Sequence, residues 1–261
     1  MFKQKLLDLI FNYRFLYKWY RYYQNFNFKI FLKTKYPVKD IVICGMPRSG
    51  STLLFNIIRI MTVLQSKKTD PYFTNDTQYD RILRNNFSPK IRKNHRYSPL
   101  LARRIKSGQT VAFFTHRDIR DVVVSLMEKG RIENFERWIK RRRLKKIVND
   151  ALLYAQMDNV IRIGYSELMN QKEKVIKKIM ILLNFNLTTE EISYILSNTE
   201  IEYTKGKLKT KEYSQEYDYE DHLHRNHIKD GKIGKWKEIL SPGQVRVIED
   251  QAKEFLDYFK Y

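Results

Sequence analysis

Residues 41–61 constrain this chain more than any other stretch. They read Ile-Val-Ile-Cys-Gly-Met-Pro-Arg-Ser-Gly-Ser-Thr-Leu-Leu-Phe-Asn-Ile-Ile-Arg-Ile-Met. The β-branched run at 41–44 suits a strand buried on both faces. Gly45 and Gly50 bracket a turn, and Ser51-Thr52 opens an apolar-periodic stretch that predicts a helix. Strand, glycine-bracketed loop and helix start together make a phosphate cradle, because the loop amides and the N–H groups of the first helical turn converge on one anion. The spacing Gly45-x-x-x-x-Gly50-Ser51-Thr52 departs from a nucleotide-hydrolysing P-loop at one place, where Ser51 replaces the Lys before Ser/Thr. That Lys reaches the β- and γ-phosphates while its neighbour holds Mg²⁺. With Arg48 inside the loop as the nearest cation, the cradle is poorly equipped for triphosphate transfer but suits a 5′-phosphate-like group. The plain alternative is a strand-turn-helix with a Gly-Ser-Thr cap.

A chain of 261 residues can bury a sizeable core as one large domain, with or without an extension. Its 50 Lys and Arg against 29 Asp and Glu give a formal charge of +21. Such a field favours anionic partners: phosphorylated or sulfated small molecules, acidic glycans, anionic lipid or nucleic acid. Cys44 is the one cysteine, which excludes an internal disulfide and reads as inert core inside a buried strand. No stretch approaches the roughly eighteen apolar residues of a membrane span, and the first residues lack a signal-peptide core, so a cytoplasmic location is expected.

Residues 1–36 read as a basic, aromatic helical extension ahead of a main domain at 37–261. Twelve of the first 31 residues are aromatic, and in residues 1–35 Asp8 is the only acid against eight Lys/Arg. Leu6, Ile10, Tyr13, Tyr17 and Tyr20 recur at helical spacing. This fits a peripheral helix on an anionic membrane surface, or one that packs its aromatic stripe on the main domain.

Further on, 65–90 is polar and rich in turn signals, the expected place for acceptor-binding loops. His95 is one of five histidines and on spacing alone reads as a surface residue. A strand at 111–115 runs into His116-Arg117-Asp118-Ile119-Arg120-Asp121, with Asp118 as N-cap and Gly130 as helix stop. Arg117, at the carboxyl end of a parallel strand, suits bidentate phosphate binding or pairs with Asp118 or Asp121. Ser125, two turns on, is placed to face the same crevice. Residues 131–155 read as a helix with one basic exposed turn, including Lys140-Arg-Arg-Arg143. No nucleic-acid motif accompanies that charge, so no specific nucleic-acid partner is expected. A strand at 160–165 and short helices at 173–183 and 189–196 follow. The charged stretch 199–221 reads as a surface loop or lid. The loop at 226–237 carries Gly231 and Gly234 among lysines, and Ser241-Pro-Gly-Gln is a capping box that opens a last helix through Phe259.

Together these stretches resemble the sulfotransferases that use 3′-phosphoadenosine 5′-phosphosulfate (PAPS). Met46-Pro-Arg-Ser-Gly-Ser-Thr-Leu is similar to that family's 5′-phosphosulfate loop, and Thr115-His-Arg117-Asp-Ile-Arg-Asp-Val-Val-Val-Ser125 to its 3′-phosphate motif. Ile163-Gly-Tyr165-Ser-Glu-Leu resembles the strand-end segment whose Tyr lies near adenine, and Lys229-Asp-Gly231-Lys232-Ile-Gly-Lys-Trp resembles the C-terminal loop over the 3′-phosphate. The resemblance runs from about Val38 to the C-terminus. It implies an α/β three-layer sandwich with a central parallel sheet, of the P-loop NTPase/kinase-like sulfotransferase kind.

The resemblance also implies roles. Arg48, Ser49, Gly50, Ser51 and Thr52 would bind the phosphosulfate, Arg117 and Ser125 the 3′-phosphate, Tyr165 the adenine end, and Lys229, Gly231 and Lys232 would close over the nucleotide. Lys93-Asn-His95 with Pro99 following fits the segment that many members place on the strand before the 3′-phosphate motif, which makes His95 the match to the family's general base, in place of which a carboxylate can serve in glycan-modifying members. Asp230 stands where many members have Lys, and Arg48 where many cytosolic ones do. PAPS would give up its sulfuryl group to a hydroxyl or amine of an acceptor and leave 3′,5′-bisphosphate (PAP), with no metal required. A P-loop kinase would need Asp118 as a Mg²⁺ ligand, and a non-catalytic basic module would explain the charge but not four ordered motifs.

Overall fold

The computed structural model describes residues 40–64, 72–74, 91–210, 222, 223 and 231–261. Five strands among them form one sheet: β1 (Asp40–Gly45), β2 (Tyr72–Thr74), β3 (Ile91–Asn94), β4 (Thr110–His116) and β5 (Val160–Gly164). Their order is β2-β3-β1-β4-β5, and every pairing is parallel. Parallel neighbours need crossover connections, and those among the described residues pass through helices; the described helices follow in chain order. They are α1 (Ser51–Leu64), α2 (Pro99–Lys106), α3 (Ile119–Met127), α4 (Phe135–Lys140), α5 (Arg143–Ala155), α6 (Tyr165–Asn170), α7 (Lys172–Leu183), α8 (Thr189–Asn198), α9 (Ile201–Thr210), α10 (Trp236–Ile239) and α11 (Pro242–Phe259).

The period-two alternation of strand side chains assigns each residue to one face. Ile43 stands opposite Lys93 on one side and Phe113 on the other. On that face Ile41, Ile43, Ile91, Phe113 and Ile163 share one core with Leu54, Phe55 and Ile58 of α1 and with the apolar stripes of α7 and α8. Each such aliphatic or aromatic side chain contributes about 1.5–3 kcal/mol by leaving water. The opposite face buries Val42, Cys44, Ala112 and Phe114, where α2 and α5 pack on the sheet. Burial pushes the Cys44 thiol far up, so it stays protonated core. Helices thus cover both faces of a fully buried β1. At its carboxyl end the connections leave toward β3 on one side and β4 on the other, the kind of switch point where open α/β sheets hold ligands.

Three readings of the sequence need correction. β2 falls inside the stretch expected to be loops; its partner β3 reads Ile-Arg-Lys-Asn, a strand that the resemblance implies at Lys93 although its buried charges hide it from hydropathy. Arg92 and Arg104 are both held by the buried Asp40, each at 3.2 Å. The expected lid at 199–221 begins instead with α9, whose Leu208 is buried despite the surrounding charge. The expected single helix at 131–155 is two, because Arg142 takes a left-handed conformation (φ 53°) between them. The predicted caps match the structure: Asp118 accepts the Arg120 amide, and Ser241 forms its capping box with Gln244. The expectations for residues 1–36 and for Lys229 lie outside the described residues.

Candidate active site

The loop between β1 and α1 is shaped by its own side chains. Ser49 Oγ donates to Met46 O at 2.6 Å and shares a 2.6 Å hydrogen bond with Thr115 Oγ1. The Met46 amide donates to Thr115 O, so the loop is tied to the end of β4. Gly50 has φ +86°, and a Cβ there would press on the Tyr165 ring and Leu168 at 3.1 Å. Arg48 is left-handed as well (φ 64°), a conformation that side chains disfavour and that turns the loop back on itself. Ser51 and Thr52, in the first turn of α1, are buried.

Three cationic or basic side chains meet this loop. Lys93 is buried on the α1 face of β3, and its Nζ donates to Thr52 Oγ1 at 2.7 Å. Burial, followed by repulsion from Arg48, lowers its pKa to about 7. His95 follows the strand and makes a 2.8 Å hydrogen bond from Nδ1 to Gly45 O. A carbonyl can only accept, so Nδ1 carries the proton and neutral His95 has its lone pair on Nε2. Burial, then Lys93, then Arg48 lower its pKa to about 4, against a smaller raising effect of the Gly45 carbonyl. Arg48 Nε donates to Ser125 Oγ at 2.9 Å. The groups that repel one another here are all basic, so an anion bound among them would relieve the repulsion.

A second cationic corner lies at the end of β4. The Arg117 guanidinium sits 4.2 Å over the Tyr165 ring, donates to Lys232 O at 2.7 Å, and reaches Arg48 O at 3.4 Å. Its other neighbour is Asp121, with 3.6 Å between Nη2 and Oδ2. Asp121 is buried, and accepts the amides of Gly234 at 2.8 Å and Trp236 at 3.1 Å. The Tyr165 hydroxyl donates to Gly231 O at 3.3 Å. Gly231 has φ +71°, and a Cβ there would lie 2.6 Å from Ile201 Cδ1. Among the described residues, the C-terminal loop brings the Lys232 carbonyl to Arg117. The Lys232 side chain pairs with Glu238 at 2.6 Å and is half exposed. Asp118 is occupied elsewhere: it caps α3 and holds the Arg120 guanidinium at 2.8 Å, which leaves it badly placed to ligate Mg²⁺ beside the loop.

A sequence profile described as the sulfotransferase domain matches residues 38–260. The chain belongs to the sulfotransferase family. It is 20% identical over 250 residues to mouse sulfotransferase 2A1, covering 85% of this chain and 87% of that protein. Its fold is similar to that of mouse sulfotransferase SULT7A1 complexed with PAP, with a TM-score of 0.65, 19% identity and 84% of each chain covered. It is also similar to retinol dehydratase in complex with androsterone and inactive cofactor PAP, with a TM-score of 0.58, 16% identity and 83% and 80% coverage.

In this sulfotransferase the residues named from sequence gather on the carboxyl edge of the sheet. Arg48, Ser49, Gly50, Ser51, Thr52, Arg117, Ser125 and Tyr165 come from four separate segments, joined by the hydrogen bonds and the cation–π contact described above, and His95 adjoins them through Gly45. Two further side chains that meet these residues, Lys93 and Asp121, were not singled out from the sequence. Lys93 lies two residues before His95, so the strand alternation sends it down toward Thr52. Asp121 lies one helical turn after Arg117; its position was visible, but its two amide partners, 113 and 115 positions away, were not.

Proposed function

We propose that this sulfotransferase binds PAPS across the two cationic corners and delivers the sulfuryl group to a hydroxyl or amine of an acceptor placed at His95. The observation that carries the reading is the His95–Gly45 hydrogen bond, which sets an unprotonated Nε2 beside a loop ringed by Arg48 and Lys93. The residues fit the nucleotide: Arg48, Lys93 and His95 gather at the glycine-bracketed loop and the start of α1, and Arg117 stands beside that loop at the end of β4. The nucleotide supplies the sulfuryl group, its S–O bond to the 5′-phosphate breaking as a bond to the acceptor oxygen forms. His95 takes the acceptor's proton. Arg48, Lys93, the amides of residues 49–52 and the start of α1 stabilise the negative charge that develops on the 5′ side. Arg117 and Ser125 hold the 3′-phosphate, and Tyr165 backs Arg117 near the adenine end. Fixed cations thereby do the work a metal does in kinases. The arrangement supports a P-loop NTPase/kinase-like three-layer architecture.

Calorimetric titration with PAP, with and without Mg²⁺ and against ATP·Mg²⁺, tests this reading. Metal-independent PAP binding that drops sharply in Arg117→Ala is expected, and a preference for ATP·Mg²⁺ overturns it. The aromatic and basic composition of residues 1–35 supports contact with an anionic membrane surface through this extension. Co-sedimentation with phosphatidylserine vesicles, lost on removing residues 1–36, is the expected result.

A further inference from the structure

We propose, resting on the reading of His95 as the base, that Tyr154 of α5 is a positioning residue for the transfer. Its hydroxyl fixes the backbone on both sides of His95, so that the ring meets Gly45 with Nδ1 and keeps its proton there. Tyr154 is buried, and a buried phenol hydroxyl needs partners. It finds them 56 to 60 positions back in the chain. The hydroxyl accepts the Ser98 amide and donates to Arg96 O, both at 3.1 Å, and Asn94 Nδ2 approaches it at 3.5 Å. Its ring meets that of Tyr97 at 5.1 Å. One turn earlier on the same helix face, Asp150 accepts the Tyr97 amide. His95 therefore lies inside a segment, 94–98, whose other residues all meet Tyr154 or Asp150.

The sequence explains why this segment draws on a hydroxyl from elsewhere. Strand alternation sends Lys93 to Thr52 on one face of the sheet and Asn94 to Tyr154 on the other. His95 follows where β3 has ended and α2 has not begun, so it stands in neither a ladder nor a helix. Ser98 caps α2 by accepting the Leu101 amide. In a capping box its own amide would go to a Glu or Gln side chain at the third helical position. Thr188 has Glu191 there, and Ser241 has Gln244. Ser98 has Leu101, which cannot accept, and its amide goes to Tyr154 instead.

The hydroxyl is not what docks α5. Leu144, Val148, Ala151, Leu152 and Ala155 of the same helix are buried, and their apolar surface holds it in place. Removing the oxygen alone leaves that packing and loosens the segment. A histidine's tautomer is set by the bond that its other nitrogen makes. A segment that drifts from Gly45 O thus loses the constraint that keeps the lone pair on Nε2. A misplacement of about 1 Å near the chemistry can cost about 10²-fold in rate. The loss would fall on the transfer step, because Arg117, Ser125 and the loop at 45–50 belong to other segments.

The test compares the full-length protein with Tyr154→Phe, both labelled with ¹⁵N-histidine, the His95 signals being identified by their loss in His95→Gln. In the unmodified protein His95 is expected to be Nδ1-protonated, with a pKa well below 6.5. In Tyr154→Phe the ratio of Nδ1- to Nε2-protonated forms should drop about fivefold or more, the equivalent of one net hydrogen bond. The pKa should rise toward 6.5 as water reaches the ring. Lys93 and Arg48 carry the same charges in both proteins, and PAP affinity by calorimetry should hold. A merely structural hydroxyl would lower the unfolding temperature and leave tautomer and pKa alone. That result overturns the proposal, as does a PAP affinity that falls along with the tautomer ratio. If Tyr154→Phe does not fold, Asp150→Ala carries the test on the tautomer ratio alone, since it also removes a charge; an unchanged ratio there overturns the proposal too. A His95 that is Nε2-protonated in the unmodified protein, or a protein that does not bind PAP, overturns the parent reading and the role of Tyr154 with it.

Discussion

Arg48 Nε and Ser125 Oγ, 77 positions apart in the chain, are joined by a 2.9 Å hydrogen bond. The bond links the loop proposed to hold the 5′-phosphosulfate to the helix proposed to hold the 3′-phosphate, and joins the Arg117–Arg48 and Ser49–Thr115 contacts in fixing the two halves of the nucleotide site to each other. Arg48→Ala should leave the fold intact, since the side chain is only partly buried and sits in a loop. It should lower kcat by about 10²–10³, the usual loss for a donor aimed at developing charge. Ser125→Ala should instead weaken PAP binding by about tenfold with a smaller change in kcat, since a hydrogen bond to a charged group is worth about 1.5–3 kcal/mol. Steady-state kinetics and calorimetry separate the two, and near-normal turnover in Arg48→Ala removes its catalytic role.

Asp121 holds the C-terminal loop through the Gly234 and Trp236 amides while facing Arg117. Asp121→Asn keeps the volume but gives the site only one accepting atom and turns an NH₂ group toward an amide donor. A loss of about 2–3 kcal/mol in unfolding free energy is expected, together with a clear drop in PAP affinity, because the loop and Arg117 lose their shared anchor. Thermal unfolding with and without PAP measures both. Unchanged PAP affinity in a destabilised Asp121→Asn would show that the anchor serves the fold alone.

Much of this site was legible because it rests on short-range pattern. The glycine spacing of 45–50, the cap at Asp118 and the box at Ser241 are each set within a few residues, and each forms as expected. What escaped depends on burial against distant partners. Arg92 and Lys93 are charged residues inside a sheet, neutralised by Asp40 or shifted in pKa by burial, so hydropathy reads their strand as surface. The helix α9 was hidden by mixed charge and Gly206, although Ile201 and Leu208, two turns apart, mark one apolar face. Lys232 is an instructive case. Its charge drew attention, yet its carbonyl meets Arg117 while its ammonium pairs with Glu238.

Gly50→Ala tests the cradle itself. At φ +86° an L side chain costs about 1–2 kcal/mol of backbone strain. Its Cβ would also press on Tyr165 and Leu168 at 3.1 Å. The substitution should abolish measurable PAP binding while leaving a folded protein, since the strain is confined to one loop. Circular dichroism with PAP titration checks this, and retained binding would mean that the loop can adapt around a methyl group.

The pH dependence follows from two lowered pKa values. Burial first, then Lys93, brings the pKa of His95 from 6.5 to about 4 in the free protein, so kcat/KM for the acceptor should have its acid limb below 6.5, with the bound nucleotide moving it upward from 4 by relieving the repulsion of Lys93 and Arg48. Lys93, at about 7, is charged below that pH and neutral above it in the free protein. A bound anion favours the charged form, so PAP binding should take up a proton between about pH 7 and 9, and affinity should fall as pH rises through 7. Lys93→Arg keeps the charge at every working pH and should flatten that decline, although the planar guanidinium will not reproduce the Thr52 hydrogen bond. Calorimetry in two buffers of different ionisation enthalpy counts the protons directly. A PAP affinity that is level from pH 6.5 to 9 in the unmodified protein would take Lys93 out of the anion site.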